Sequence, residues 1–197
     1  MTTAEGARAP VIPLATAPAR FDTPIIVIHW TTAALVVGLF ATGWGLGLAA
    51  DGDTARTLLT VHRSIGVTIW ALTCVRMGWR LTGSPAPPLP ADLPPTARLG
   101  ARLNELTLYA LLAIQPMTGA LQTLYRGKPF DLFAWRIPAL IPRDKALARA
   151  LHEVHEWGAW LLAGLILLHA GAALVHALVR RDGVFQHMAP IRRRRPR

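Results

Sequence analysis

The sequence predicts an all-α membrane protein, a four-helix transmembrane bundle, and three observations carry that prediction. The 197-residue chain is 52% hydrophobic and only 16% charged, with a mean hydropathy of +0.35, too apolar for an ordinary soluble domain. Its apolar residues gather in long runs separated by polar or proline-rich connections, with arginines at the ends of the runs. The last run, Leu151–Arg181, has only His169 and His176 as ionisable residues between Trp157 and Val179. Ionisable groups inside a span are costly, and each is by default a candidate functional residue.

Taken in order, residues 1–21 are rich in Ala, Pro and Thr without apolar periodicity and predict a disordered tail. They hold no signal-peptide core, because Val11–Ala17 is short and broken by Pro13. The membrane domain is expected over 22–188, with a basic tail over 189–197. Pro24 opens the first span, as proline suits a first helical turn. That span carries His29 near its start, followed by Trp30, and Gly38, Ala41, Gly43 and Gly45 allow close helix approach. His29 taken alone reads equally as a solvated interfacial histidine. Asp51–Arg56 is a short polar connection. The second span, Val61–Leu81, is the weakest by hydropathy and carries His62, Arg63, Arg76 and Arg80. Arg80 can snorkel to the surface, whereas Arg76 lies deeper and needs an anionic partner.

Gly83–Pro95 is dense in proline and predicts a loop. A third span, Leu103–Tyr125, should kink at Pro116; it has no histidine and is expected to cover and pack. Glu105 at its start reads as solvated. Arg126–Ala150 predicts a partly ordered segment on the membrane surface, with a short helix near Asp144–Ala150. The fourth span closes the bundle.

The formal charge of +10 does not indicate nucleic-acid binding, because the arginines sit at span ends and form no basic face interleaved with aromatics. The arginine-rich end, Ile191–Arg197, fits an inner-face membrane anchor. Cys74 is the single cysteine, so neither an internal disulfide nor a cysteine-ligated cluster can form within the chain. Arg98, Arg102, Arg180, Arg181 and Arg192–Arg195 place both termini on the cytoplasmic side by the positive-inside rule. The outward third connection breaks that rule with Arg126, Lys128, Arg136, Arg143, Lys145 and Arg149.

His155 and His169 are fourteen residues apart. At about 100° and 1.5 Å per residue they share one helix face at depths about 21 Å apart. Antiparallel spans bring His29 level with His169 and His62 level with His155. Two level-matched imidazole pairs suit axial ligation of two haem irons, and bis-histidine ligation favours electron transfer over oxygen binding. Zinc fits poorly, because it needs four ligands around one point. A histidine proton relay would not require matched pairs. Arg76, fourteen residues after His62, falls at the depth of the His29/His169 pair and could meet a haem propionate there. His176 could bond a propionate or a quinone, or simply reach the interface. His152 is expected in the outer headgroup region and His187 in solvent.

His29–Trp30, the HRSIG segment His62–Gly66 with the later VRMGWRL, YRGKPF at Tyr125–Phe130, and the spaced histidines from His155 to His176 resemble the bacterial cytochrome b561 family of di-haem, quinone-linked membrane proteins. The resemblance spans about Phe21 to Pro190. It implies two haem b groups on His29, His62, His155 and His169, a multi-pass protein of the bacterial inner membrane, and oxidation of superoxide with reduction of ubiquinone. Some members carry a histidine near the start of the third helix, where this chain has Asn104–Glu105, so no ligand is expected from that helix. Related b-type subunits instead anchor a soluble redox partner. On the superoxide reading, Arg126, Lys128 and Arg136 form an outer field that draws in the anion; the alternative is that they meet lipid phosphates.

Overall fold

The structure is a computed structural model that describes residues 20–83 and 85–190. It contains α1 (Thr23–Leu48), α2 (Gly52–Thr82), α3 (Pro95–Tyr125), a hairpin of β1 (Phe130–Leu132) and β2 (Trp135–Ile137), and α4 (Lys145–Leu174). A π-helical turn, Val175–Arg180, continues α4, and a 3-10 turn spans Phe185–His187. Successive helices run antiparallel. His29 of α1 meets Arg76 of α2, Arg80 of α2 meets Glu105 of α3, and Gln122 of α3 meets His152 of α4. Even the shortest, α1 at 26 residues, is about 39 Å long, more than the roughly 30 Å hydrocarbon core of a bilayer.

Among the described residues, three helices are long and apolar enough to cross a membrane: Thr23–Leu48, Gly52–Thr82 and Lys145–Arg180. The second span, expected to be the weakest, does hold such a window, and among the described long helices it is α3 that lacks one. Its composition is inverted: the residues it buries are Gln115, Thr118, Gln122 and Thr123, while Leu99, Leu103, Leu106, Ile114, Met117 and Leu121 are exposed. An apolar outer surface with polar residues inside suits a protein whose solvent is lipid. The same coat continues on α4, where Leu167 and Leu168 are exposed, and on its π-helical continuation, where Leu178 and Val179 are. The apolar core is small, with Ile25, Ile26, Val36, Ile69, Ala148 and Leu162 its buried members.

Helices extend beyond their apolar runs wherever a cap is available, which corrects three expected boundaries. The Asp51 carboxylate accepts the Thr54 amide at 2.6 Å, so the Asp51–Arg56 stretch is the first turn of α2 rather than a connection. Pro95 starts α3 well before Leu103. Asp144 caps α4 through the Leu147 amide at 3.0 Å, and the short helix expected at 144–150 is the first part of that one helix.

The third connection is a hairpin, with Phe130 opposite Ile137 and Leu132 opposite Trp135. The Phe133 amide donates to Ser64 Oγ on α2 at 2.7 Å, which holds the hairpin over one end of the bundle. Gly127 makes the turn out of α3 with φ of +61°, and a Cβ there would lie 2.6 Å from Arg143 Cβ. Gly127→Ala should therefore lower the unfolding temperature. The left-handed backbone alone costs about 1–2 kcal/mol for an L-residue, before the clash is counted, and thermal unfolding in detergent measures the loss.

The other end is closed by the C-terminal segment folding back on α1. The Phe21 amide donates to the His187 carbonyl at 3.1 Å, Trp30 Nε1 donates to the Met188 carbonyl at 2.8 Å, and Arg20 donates to the Ala189 carbonyl. His187, expected in solvent, is thus part of an ordered, half-buried turn. Of the two tails expected, 1–19 and 191–197 lie outside the described residues.

Candidate functional site

The bundle brings the four span histidines together as two facing pairs. His62 and His155 have ring centroids 6.2 Å apart and planes at 73°; His29 and His169 are 6.1 Å apart at 68°. A metal–imidazole nitrogen bond is about 2 Å. Two rings on opposite sides of one ion, each adding its own half-width, give centroids roughly 6 Å apart. Among the described residues no three His, Cys, Asp or Glu side chains cluster around one point, so a protein-only metal centre of higher denticity is absent there. Along α4 the two levels are separated by the fourteen residues from His155 to His169, about 21 Å.

The ring nitrogens of the first pair are assigned by their partners. His62 Nδ1 lies 3.1 Å from the Leu39 carbonyl, and His155 Nδ1 lies 3.1 Å from the Gln115 carbonyl. A carbonyl only accepts, so Nδ1 carries the proton on both rings and Nε2 keeps its lone pair. This is the arrangement that readies Nε2 for a metal. Both Leu39 and Gln115 belong to the neighbouring helix, which is why the ring orientations are set by packing rather than by their own turns.

The second pair is wired differently. Arg76 Nη1 donates to His29 Nδ1 at 3.2 Å. Guanidinium only donates, so here Nδ1 accepts, and an acceptor for Arg76 is what would free His29 to present Nε2 as a ligand. Two polar atoms there lack partners: Arg76 Nε and the Tyr109 hydroxyl are buried with none, and Arg76 Cζ lies 5.1 Å from the Tyr109 ring. Buried orphan donors of this kind fit an anionic group such as a haem propionate. A second half-buried arginine, Arg63, adjoins His62; its Nε is likewise buried without a partner, and its guanidinium lies 5.4 Å from the Phe130 ring. Thus a half-buried arginine with an unpaired, buried Nε attends each histidine pair. Arg63 was not singled out from sequence, although its position next to His62 was the available signal.

His176 is joined to neither pair. Its Nδ1 donates to Asp182 Oδ2 at 2.7 Å, and Arg180 bridges Asp182 to Asp92 at 2.9 and 2.5 Å. Partial burial pushes the Asp182 carboxyl up, but the hydrogen bonds from Arg180, His176 and the Val184 amide outweigh it and bring it down to about 2. Asp182 therefore remains a carboxylate at any physiological pH and holds the His176 ring in place at the end of α4. His152, expected among headgroups, has Nδ1 3.1 Å from Gln122 Oε1 on α3. Glu105, expected in solvent, is exposed, with Arg80 4.0 Å away.

Of the three outer cations singled out, Arg126 and Lys128 line a cavity of about 370 Å³ together with Arg143, Lys145 and Ala148. Its wall carries four cations and no carboxylate. Arg136 is elsewhere, on β2, with Nη1 2.8 Å from Asp131 Oδ1. The cavity lies at the hairpin end of the bundle, the end nearer His62 and His155.

A family profile described as "Prokaryotic cytochrome b561" matches residues 20–190. The chain is 32% identical over 173 residues to "Cytochrome b561 homolog 2" of Escherichia coli (strain K12), covering 87% of this chain and 92% of that protein. It is 26% identical over 176 residues to "Cytochrome b561 homolog 1" of the same organism, covering 88% and 99%. With "Probable superoxide oxidase CybB" of Yersinia pestis it shares 27% identity over 172 residues, covering 85% and 94%. With the match running through all four helices and both histidine pairs, the chain belongs to the prokaryotic cytochrome b561 family of haem b membrane electron-transfer proteins.

Proposed function

We propose that this protein carries electrons across the bacterial inner membrane from superoxide on the periplasmic side to ubiquinone. The observation that carries the reading is the presence of two facing imidazole pairs at 6.2 and 6.1 Å, one at each end of the bundle. His62 and His155 would hold an outer haem b, and His29 and His169 an inner one. Haem iron, when bound, supplies one-electron chemistry by alternating between ferric and ferrous states. Both termini are cytoplasmic on this reading, which puts the cation-lined cavity outside.

The protein's own groups do the rest. Arg126, Lys128, Arg143 and Lys145 concentrate an anionic substrate near His62 and His155, since four cations without a carboxylate raise the local anion concentration. Arg63 and Arg76 would hold propionates through their unpaired Nε donors. His176, fixed by Asp182, is placed to hydrogen-bond a quinone oxygen and pass it a proton. The balance is two superoxide anions oxidised to two dioxygen molecules for each ubiquinone that gains two electrons and two protons. The relative named for superoxide oxidase supports this substrate.

Steady-state reduction of the purified haem-loaded protein by superoxide, with and without a ubiquinone analogue, tests the proposal. Quinone-dependent superoxide consumption is expected. Haem reduction only by a soluble redox protein would instead assign the chain as a membrane anchor for such a partner.

Arg76→Gln should shift the midpoint potential of the inner haem and leave the outer one unchanged. Removing the cation weakens stabilisation of ionised propionates and of the electron-rich ferrous state, so the inner potential should fall. Redox titration reads both centres, and two unchanged potentials would count against the role given to Arg76.

A further inference from the structure

We propose that two copies of one helix-face arrangement, Leu39–Thr42–Gly43 on α1 and Gln115–Thr118–Gly119 on α3, position the His62 and His155 rings and make that pair the more electron-donating of the two. The inference rests on the haem reading above. Residues at i, i+3 and i+4 share one face of a helix, and each plays the same part in both copies. The first offers its backbone carbonyl to Nδ1–H, at 3.1 Å in both cases.

The threonine hydroxyl donates toward that same carbonyl, at 3.0 Å from Thr42, which shares its proton with the Gly38 carbonyl at 2.9 Å, and at 2.8 Å from Thr118. Its lone pairs are then left facing the ring, with Oγ1 3.2 Å from His62 Nδ1 and 3.0 Å from His155 Nδ1. The glycine clears the space. A Cβ on Gly43 would lie 3.5 Å from His62 Cε1, and one on Gly119 would lie 3.1 Å from His155 Cε1. The surrounding segments, LFATG and QPMTG, share only the Thr-Gly pair. In the α3 copy, Gln115 Nε2 also donates to the His155 carbonyl at 2.8 Å. Its amide lies over Gly158, where a Cβ would come within 2.7 Å of Oε1.

Each helix hairpin, α1–α2 and α3–α4, thus supplies one histidine and one cradle. The His29/His169 pair has no equivalent. His29 Nδ1 faces a guanidinium at 3.2 Å, and the His169 side chain makes no hydrogen bond among the described residues. A ring N–H that donates to a carbonyl and a hydroxyl shifts electron density to the opposite nitrogen and makes it a more basic ligand. More basic axial ligands stabilise ferric over ferrous iron and lower the potential. Electrons therefore run downhill from the His62/His155 end toward the His29/His169 end, away from the cation-lined cavity.

Redox titration of the purified haem-loaded protein, followed by optical and EPR spectra, tests this. The lower midpoint should belong to the haem lost in His155→Ala. Thr42→Val and Thr118→Val should raise that midpoint alone and change that centre's g values, while Thr42→Ser and Thr118→Ser stay close to the parent. Gly119→Ala should disturb the spectrum more than Gly43→Ala, following the two clearances. The proposal is overturned if the lower midpoint belongs to the His29/His169 haem, if both midpoints move together, if neither moves, or if the Ser variants behave like the Val variants. Should the Val variants lose haem, the Ser variants and the assignment of the two parent midpoints still decide. Failure of the underlying haem reading shows separately, as a parent protein with fewer than two low-spin haems.

Discussion

Purified His155→Ala and His62→Ala are each expected to hold one haem where the parent holds two, and to lose the same one. His29→Ala and His169→Ala should each lose the other. The rings at 6.2 and 6.1 Å face each other across pairs of helices rather than along one helix, so a change on α2 must be felt at the same centre as a change on α4. On the proposed ligation, loss of either imidazole would remove one of two protein bonds to the iron, and a pyridine haemochrome assay with low-temperature optical spectra counts what remains. If His29→Ala and His62→Ala affected one and the same centre, the pairing would be wrong. His152→Ala serves as control. Its ring bonds Gln122 and belongs to neither facing pair, so both haems should survive.

The two histidine levels were legible in the sequence because helix geometry is rigid. Fourteen residues return to the same face, and short connections force neighbouring spans to alternate in direction. The groups around the rings were not legible. Thr42, Thr118, Gly43 and Gly119 are ordinary residues of a membrane helix, and only their distance from an imidazole on the next helix gives them a role. Hydropathy located the membrane but not the helix ends. Asp51 and Asp144 cap helices whose first turns are polar, so α2 and α4 begin before their apolar runs do. The third span lacks a long apolar window because its inward face carries Gln115, Thr118 and Gln122, which bond His155 and His152 of α4 rather than face lipid. The hairpin was invisible for a related reason: its three-residue strands are too short to show alternation.

Neutralising Arg126, Lys128 and Arg143 together is expected to slow second-order reduction by superoxide by about tenfold or more, within the range electrostatic steering provides, while both haem spectra stay intact. Arg136→Gln should do much less, because its guanidinium already meets the Asp131 carboxylate at 2.8 Å and contributes little net field. Steering acts over distance. The parent rate should therefore fall as salt rises and the Debye length shrinks to about 8 Å at physiological ionic strength, and the triple variant should show a flatter dependence. A neutral reductant should reduce both proteins at the same rate, since it feels no field. If the triple variant lost rate with superoxide and neutral reductant alike, the cations would be supporting the fold of the turn at Gly127 and the start of α4. If it lost nothing, the four cations would be neutralised in the membrane by lipid phosphates, and the field would play no part in bringing an anion to His62 and His155. Stopped-flow reduction at three ionic strengths separates these outcomes, because only steering couples the effect of the charges to the charge of the reductant.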